Sequence, residues 1–132
     1  MKPELVKYRL ERAEETLLDA ELLLSKNRLI ASVNRLYYSM FYAISAILEV
    51  NDFSSSKHSG VRSLFNQHFV KTGIISMEAG SQYNILYNER HKGDYSDFVE
   101  FERTQVSEYY DNCRKHIDEI RHKILETMGP DF

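Results

Sequence analysis

Apolar residues recur at Val6, Leu10, Ala13, Leu17, Ala20 and Leu24, in alternating steps of four and three that keep them on one stripe of a helix. The pattern predicts a first helix from about Pro3, a residue suited to a first turn, to a stop at Ser25-Lys26-Asn27. A second helix is predicted from about Arg28 to Val50. It contains Leu36 to Leu48, thirteen residues without a charge. At about 100° per residue, Leu36, Met40, Ala43 and Ile47 form one apolar row, and Val33, Tyr37, Phe41, Ile44 and Leu48 form the next. The opposite side is a polar and aromatic strip of Asn34, Tyr38, Tyr42 and Ser45, with Arg35, Ser39 and Ala46 beside it.

A shorter helix is expected from about Lys57 to Lys71, capped by Ser55 or Ser56, burying Val61, Leu64, Phe65 and Phe69, and ended by Thr72-Gly73. Ser76 can cap a fourth helix that reaches Arg90 or His91 with Met77, Tyr83, Leu86 and Tyr87 inward. Gly80 weakens its start and Gly93 is expected to break it. Ser96 or Asp97 is the expected start of the last helix, because Asp97 and Glu100 have capping-box spacing. Val106, Tyr110, Cys113, Ile117, Ile120 and Ile124 then repeat the stepping of the first helix until Gly129-Pro130. No segment alternates with period two and no linker divides the chain. The expectation is an all-α, mostly antiparallel bundle of about five helices, forming one domain over residues 1–132.

Composition changes this picture little. The chain is 42% hydrophobic and 28% charged, as expected of a folded globular domain rather than a disordered one. A net charge of -3 argues against broad non-specific binding to nucleic acid, yet leaves room for a local basic site. Cys113 is the only cysteine, which removes disulfides and cysteine-based zinc sites and fits a reducing compartment. The charged N-terminus lacks the apolar run of a signal peptide, and Leu36 to Leu48 falls short of the about 20 apolar residues that span a bilayer. A cytoplasmic protein without membrane contact is expected.

Candidate chemistry is confined to helix ends. A di-metal bundle site needs two Glu-x-x-His motifs, and Glu119 with His122 is the only one; HExxH and nucleophile-elbow motifs are absent. No metal or other cofactor is therefore expected. Ser56 to Gly60 places Lys57 and His58 at a helix start, where free amide hydrogens favour a phosphate. Glu89 to Tyr95 places Arg90, His91 and Lys92 near a helix end. Each group also has a purely structural reading: a polar helix start for the first, and for the second cations that satisfy terminal carbonyls, with a local Arg90–Asp94 ion pair. Tyr38 and Tyr42 can likewise hold a helix interface through their hydroxyls.

Asn34 to Ala43, Lys57-His58-Ser59-Gly60-Val61, Phe69 to Gly73, and Glu89-Arg90 with Asp94-Tyr95 follow one another in an order that resembles the HEPN superfamily, in its small stand-alone prokaryotic branch, over roughly residues 5 to 125. The resemblance implies a helical bundle that forms a homodimer, binds nucleotide or RNA, and acts with a minimal nucleotidyltransferase. In several branches such domains are toxin-antitoxin components and metal-independent endoribonucleases. Their signature is an arginine, four to six residues, a histidine and often a nearby tyrosine.

Arg90 takes the arginine place and Tyr95 approximately that of the tyrosine, but Asp94 stands where the histidine is expected, and His91 is adjacent to Arg90. Arg62 and His68 match the spacing literally, yet would diverge by about 120° on a continuous helix. His58 is the candidate replacement. In that arrangement Arg90 binds a phosphate, His58 is the acid-base group and Asp94 orients either of them. Arg35, Lys57, Tyr38 and Tyr95 complete the nucleotide or RNA contacts. The alternative is a non-catalytic dimerisation and interaction module in which Arg90 and Asp94 are structural.

Overall fold

The computed structural model describes all 132 residues and carries five α-helices and no strand: α1 (Pro3–Ser25), α2 (Leu29–Val50), α3 (His58–Phe65), α4 (Met77–Tyr95) and α5 (Arg103–Met128). The all-α bundle expected from the periodicity is the observed architecture. Both long N-terminal helices end in the same way. Arg28 N–H donates to Leu23 O and Asn27 N–H to Leu24 O, with Asn27 left-handed at φ 56°. Phe53 N–H and Asp52 N–H repeat this on Leu48 O and Glu49 O, with Asp52 at φ 61°. These are Schellman closures built on Asn and Asp, residues whose short polar side chains tolerate this backbone region.

Every residue of the α1 stripe is buried, and so are both apolar rows of α2 except Phe41, which is half-buried. Small residues let the two helices approach: Ser32 Oγ donates to Ala20 O at 2.8 Å, and Arg9 Nη1 to Ser45 O at 3.1 Å. α2 then serves as the hub, packed against α1, α3, α4 and α5. Cys113 lies in the core on α5, where burial pushes its thiol up to about 12 and leaves it inert. No helix is long and apolar enough to cross a membrane.

Four expectations about boundaries and faces are corrected. Gly93 does not break α4, which continues to Tyr95. A Cβ at Gly93 would lie 3.3 Å from Phe101 and 3.5 Å from Ile30, so the glycine serves close packing of the last turn, which outweighs its poor helix propensity. The last helix begins at Arg103 rather than Ser96 or Asp97, and no Asp97–Glu100 capping box forms. Burial of Phe101 draws residues 96–102 across the bundle as a loop, and Arg103 Nη1 fastens the new start to Leu24 O at 3.0 Å. Met77 is exposed instead of inward; Ile75, just before the helix, is buried. Neither Ser55 nor Ser56 caps α3, whose Lys57 N-cap has no side-chain bond; Ser55 Oγ accepts from Lys57 N–H at 3.2 Å instead.

α3 widens into a π-helical turn over Asn66–Val70, which sets Val70 against Gly80 of α4, where a Cβ would be 3.0 Å from both valine methyls. Gly80 thus serves close packing, whatever its cost to the helix start. Ser76 caps α4 by accepting from Ala79 N–H, and donates its own N–H and Oγ–H to Glu119 at 2.7 and 2.8 Å. Glu119 therefore clamps α5 to the start of α4, while His122, its partner in the sequence motif, bonds Asp118 O. Glu119→Ala is expected to lower stability by about 1.5–3 kcal/mol, the range for charge-assisted bonds, with helix content unchanged. Urea unfolding followed by circular dichroism measures it, and an unshifted midpoint would contradict the clamp.

Candidate functional site

Three helices meet around the ring of Tyr37. α4 turns Arg90 inward until only 8% of it is exposed, and its guanidinium carbon lies 4.6 Å from the Tyr37 ring centre and 5.8 Å from that of Tyr38. The aromatic faces supply part of the stabilisation that water would otherwise give the cation. Asp94, one turn later, supplies the countercharge, with Oδ2 3.6 Å from Arg90 Nη1. Arg90 Nε is nevertheless buried without a hydrogen-bond partner. An ionised donor left unpaired in the interior is costly.

α2 contributes the surrounding polar frame. Arg35 Nε and Nη2 donate to Asn34 Oδ1 at 3.0 and 2.7 Å, and Asn34 Nδ2 donates to Asp94 Oδ2 at 3.0 Å. The Arg35 guanidinium also lies 5.1 Å from the Tyr38 ring centre, so two cations share that ring. α3 contributes His58, its first residue. The imidazole stacks on Phe41 at 4.6 Å and on Tyr37 at 5.7 Å, and Nδ1 is 2.7 Å from the Tyr37 hydroxyl. Tyr83 of α4 donates its own hydroxyl to that of Tyr37 at 3.3 Å. The Arg90 carbon and the His58 ring therefore lie no farther apart than the sum of their 4.6 and 5.7 Å distances to Tyr37, about 10 Å.

The start of α3 is held by a close approach. A Cβ on Gly60 would fall 2.0 Å from Ser55 Oγ and 2.8 Å from Ser55 Cβ. Only glycine lets the 51–57 turn fold over the helix there and fix His58. Burial, followed by the Arg90 charge, holds the His58 imidazole below the usual histidine range.

Arg90, Asp94, Arg35, Tyr38 and His58 are thus brought together. Lys57 is exposed at the residue before α3. Tyr95 is 71% exposed and packs on the His91 ring at 4.8 Å, on the neighbouring side of α4 from Arg90. The literal Arg62–His68 match is divided between partners: Arg62 covers the Tyr87 ring at 4.1 Å, and His68 stacks on Phe53 at 4.2 Å. Periodicity assigned Tyr37 to the apolar row and so missed it as a site residue. The signal was its hydroxyl, which a buried tyrosine must satisfy. The largest cavity, about 700 Å³, does not sit on Arg90 and His58 but adjoins them, sharing Asn34, Arg35 and Asp94 as its wall.

A sequence model of the HEPN domain matches residues 6–125, nearly the whole chain. The chain belongs to the HEPN family. A "UPF0332 protein" of Thermotoga maritima is 42% identical over 127 residues, covering 96% of each chain. The "Putative toxin MJ0142" of Methanocaldococcus jannaschii is 36% identical over 97 residues, 74% of this chain and 66% of that protein. A "UPF0332 protein PH1297" of Pyrococcus horikoshii shares 44% over 73 residues, 55% of this chain and 51% of that one. In this HEPN domain Arg90 is buried, and the residue one turn later, Asp94, is a carboxylate.

Two histidines, the half-buried His58 and the buried His116, give the fold an acid sensitivity. His58 is lowered by burial and then Arg90; His116 is lowered chiefly by burial, with Glu119 opposing. A lowered folded value means that the unfolded chain takes up protons first as pH falls. Stability is therefore full above the ordinary histidine value of about 6.5 and declines below it, towards the folded values. Urea midpoints should fall between pH 7.5 and 5.5, and less steeply in a His116→Gln variant. A midpoint that rose over this interval would be the wrong sign.

Proposed function

We propose that this HEPN protein binds the phosphate backbone of RNA, or a nucleotide, where α2, the start of α3 and the end of α4 meet beside the cavity walled by Asn34, Arg35 and Asp94. The single observation that supports this reading most is Arg90, a cation nine-tenths buried over two tyrosines whose countercharge, Asp94, stands 3.6 Å away rather than at hydrogen-bond distance. Arg35 is the second cation, Tyr38 holds both guanidinium groups beside its ring, and the exposed Lys57 and Tyr95 extend the contact surface.

The family and the relative named as a toxin support the further reading that the protein is the toxin-like member of a toxin-antitoxin pair. In this proposal it is a cytoplasmic homodimer, works with a minimal nucleotidyltransferase, and cleaves RNA without a metal. Asp94 orients Arg90, and His58 stands in the place of the missing histidine. The competing reading is a non-catalytic interaction module. Phe98, fully exposed at a left-handed φ of 58°, and the exposed Leu18 and Leu22 favour that one.

Purified protein incubated with single-stranded RNA in EDTA separates the two. Arg90→Ala is expected to weaken RNA binding by about ten- to a hundredfold, the loss of a charge-assisted contact, and to abolish any cleavage, with the fold retained. Wild-type protein that neither binds nor cuts RNA would overturn the proposal. Tyr38→Phe, which removes a hydroxyl without a hydrogen-bond partner within the chain, should leave assembly unchanged in sedimentation; an altered assembly state would favour the module.

A further inference from the structure

Tyr83, Tyr37 and His58 form a linear chain of hydrogen-bonding groups, and the count of protons along it allows one arrangement. Tyr83 and Tyr37 are both fully buried. The Tyr83 hydroxyl has one partner, the Tyr37 oxygen, and the Tyr37 hydroxyl has two, Tyr83 and His58 Nδ1. Burial raises both phenols above the ordinary tyrosine value, so each keeps its proton and must place it. If Tyr83 donates to Tyr37 and Tyr37 donates to His58 Nδ1, every proton has an acceptor. If His58 Nδ1 instead carried a proton towards Tyr37, the Tyr37 proton would turn to Tyr83. The Tyr83 proton would then be stranded in an apolar interior.

From this count we infer that Tyr37, backed by Tyr83, fixes His58 as the neutral tautomer with its proton on Nε2, so that the cleft receives from His58 a hydrogen-bond donor and not a basic lone pair. Nε2 has no partner in the chain and is open to solvent. The groups facing the ring agree with this assignment. From α2 come Tyr37, Tyr38 and Phe41, none of them a carboxylate that would hold an imidazolium; from α4 comes Arg90, whose charge opposes one. His58 Nε2–H is then a donor beside the Arg90 guanidinium, both set around the Tyr37 ring, a pair suited to the non-bridging oxygens of a phosphodiester. Tyr37 and Tyr83 are positioning residues that act through His58. The inference rests on the cleft as the ligand site and changes the role of His58 within it, from a titrating acid-base group to a phosphate contact.

Two measurements test it separately. Long-range proton–nitrogen correlation of the intact protein should show His58 Nε2 protonated and Nδ1 unprotonated and accepting a hydrogen bond between pH 6 and 8. In Tyr37→Phe, with helix content unchanged, the Nδ1 signal should move towards that of a tautomer mixture. A proton found on Nδ1 in the wild type overturns the inference, and so does a Tyr37→Phe spectrum identical to it. The second measurement uses a short single-stranded RNA as the probe. His58→Gln, whose amide places a donor where Nε2–H stands, should bind within about threefold of wild type, whereas His58→Ala should lose about tenfold. RNA binding should also stay flat between pH 6 and 8. Gln and Ala variants equally impaired would show a role other than donation. Should the wild type fail to bind RNA at all while the Nε2–H tautomer is seen, the functional reading falls and the tautomer assignment survives.

Discussion

A tyrosine hydroxyl in the middle of a helical bundle has to find hydrogen-bond partners inside the protein, and Tyr37 finds them on two other helices. Its oxygen accepts from Tyr83 of α4, and its proton faces His58 of α3. The ring itself stacks on Tyr83 at 5.6 Å and carries Arg90 on a face. An apolar residue at this position would pack α2 equally well but would leave α3 and α4 without a shared polar point. One side chain thereby couples the hydrophobic hub of the fold to the polar cleft, and any account of the cleft has to begin with it.

Charge is arranged around that point under the same constraint. A buried guanidinium costs several kcal/mol unless its surroundings replace water, and no single neighbour of Arg90 does so. Two tyrosine faces supply one part and Asp94 another. Asp94 is shared with Asn34, which is shared with Arg35. A histidine at position 94 could not replace this carboxylate in its neutral form, because a neutral imidazole brings no countercharge. The aspartate therefore fits a deeply held arginine, and a cleft tuned to hold a cation is a cleft in which a nearby imidazole stays neutral. The electrostatics of Arg90 and the protonation of His58 are one problem, not two.

Much of the fold was legible in the sequence because long amphipathic helices carry their burial pattern as periodicity. The six stripe positions of α1 and the rows of α2 needed no tertiary information. What escaped was decided by contacts distant in sequence. Gly93 looks like a stop until Phe101 and Ile30 are seen to need the space. Asp97 and Glu100 look like a cap until burial of Phe101 forbids a helix there. The candidate site divides in the same way. Arg90, Asp94 and His58 could be named from motif and residue type, whereas Tyr37 could not. Its role lies in a hydroxyl that local patterning counts as part of an apolar side chain.

The dependence of the cleft on α3 follows from geometry. Arg90 and Tyr38 sit on long helices anchored along their length, but His58 is the first residue of an eight-residue helix with no side-chain cap. Its place is set by the Ser55–Gly60 approach on one side and by the π-helical turn on the other, which carries Val70 into the gap left by Gly80. A helix so short is marginal by itself and takes its order from its neighbours. Both glycines therefore act on the cleft without touching it. The 2.7 Å contact between His58 and Tyr37 is where that remote packing is expressed as chemistry, since a shift of a few tenths of an ångström at Gly60 falls directly on it.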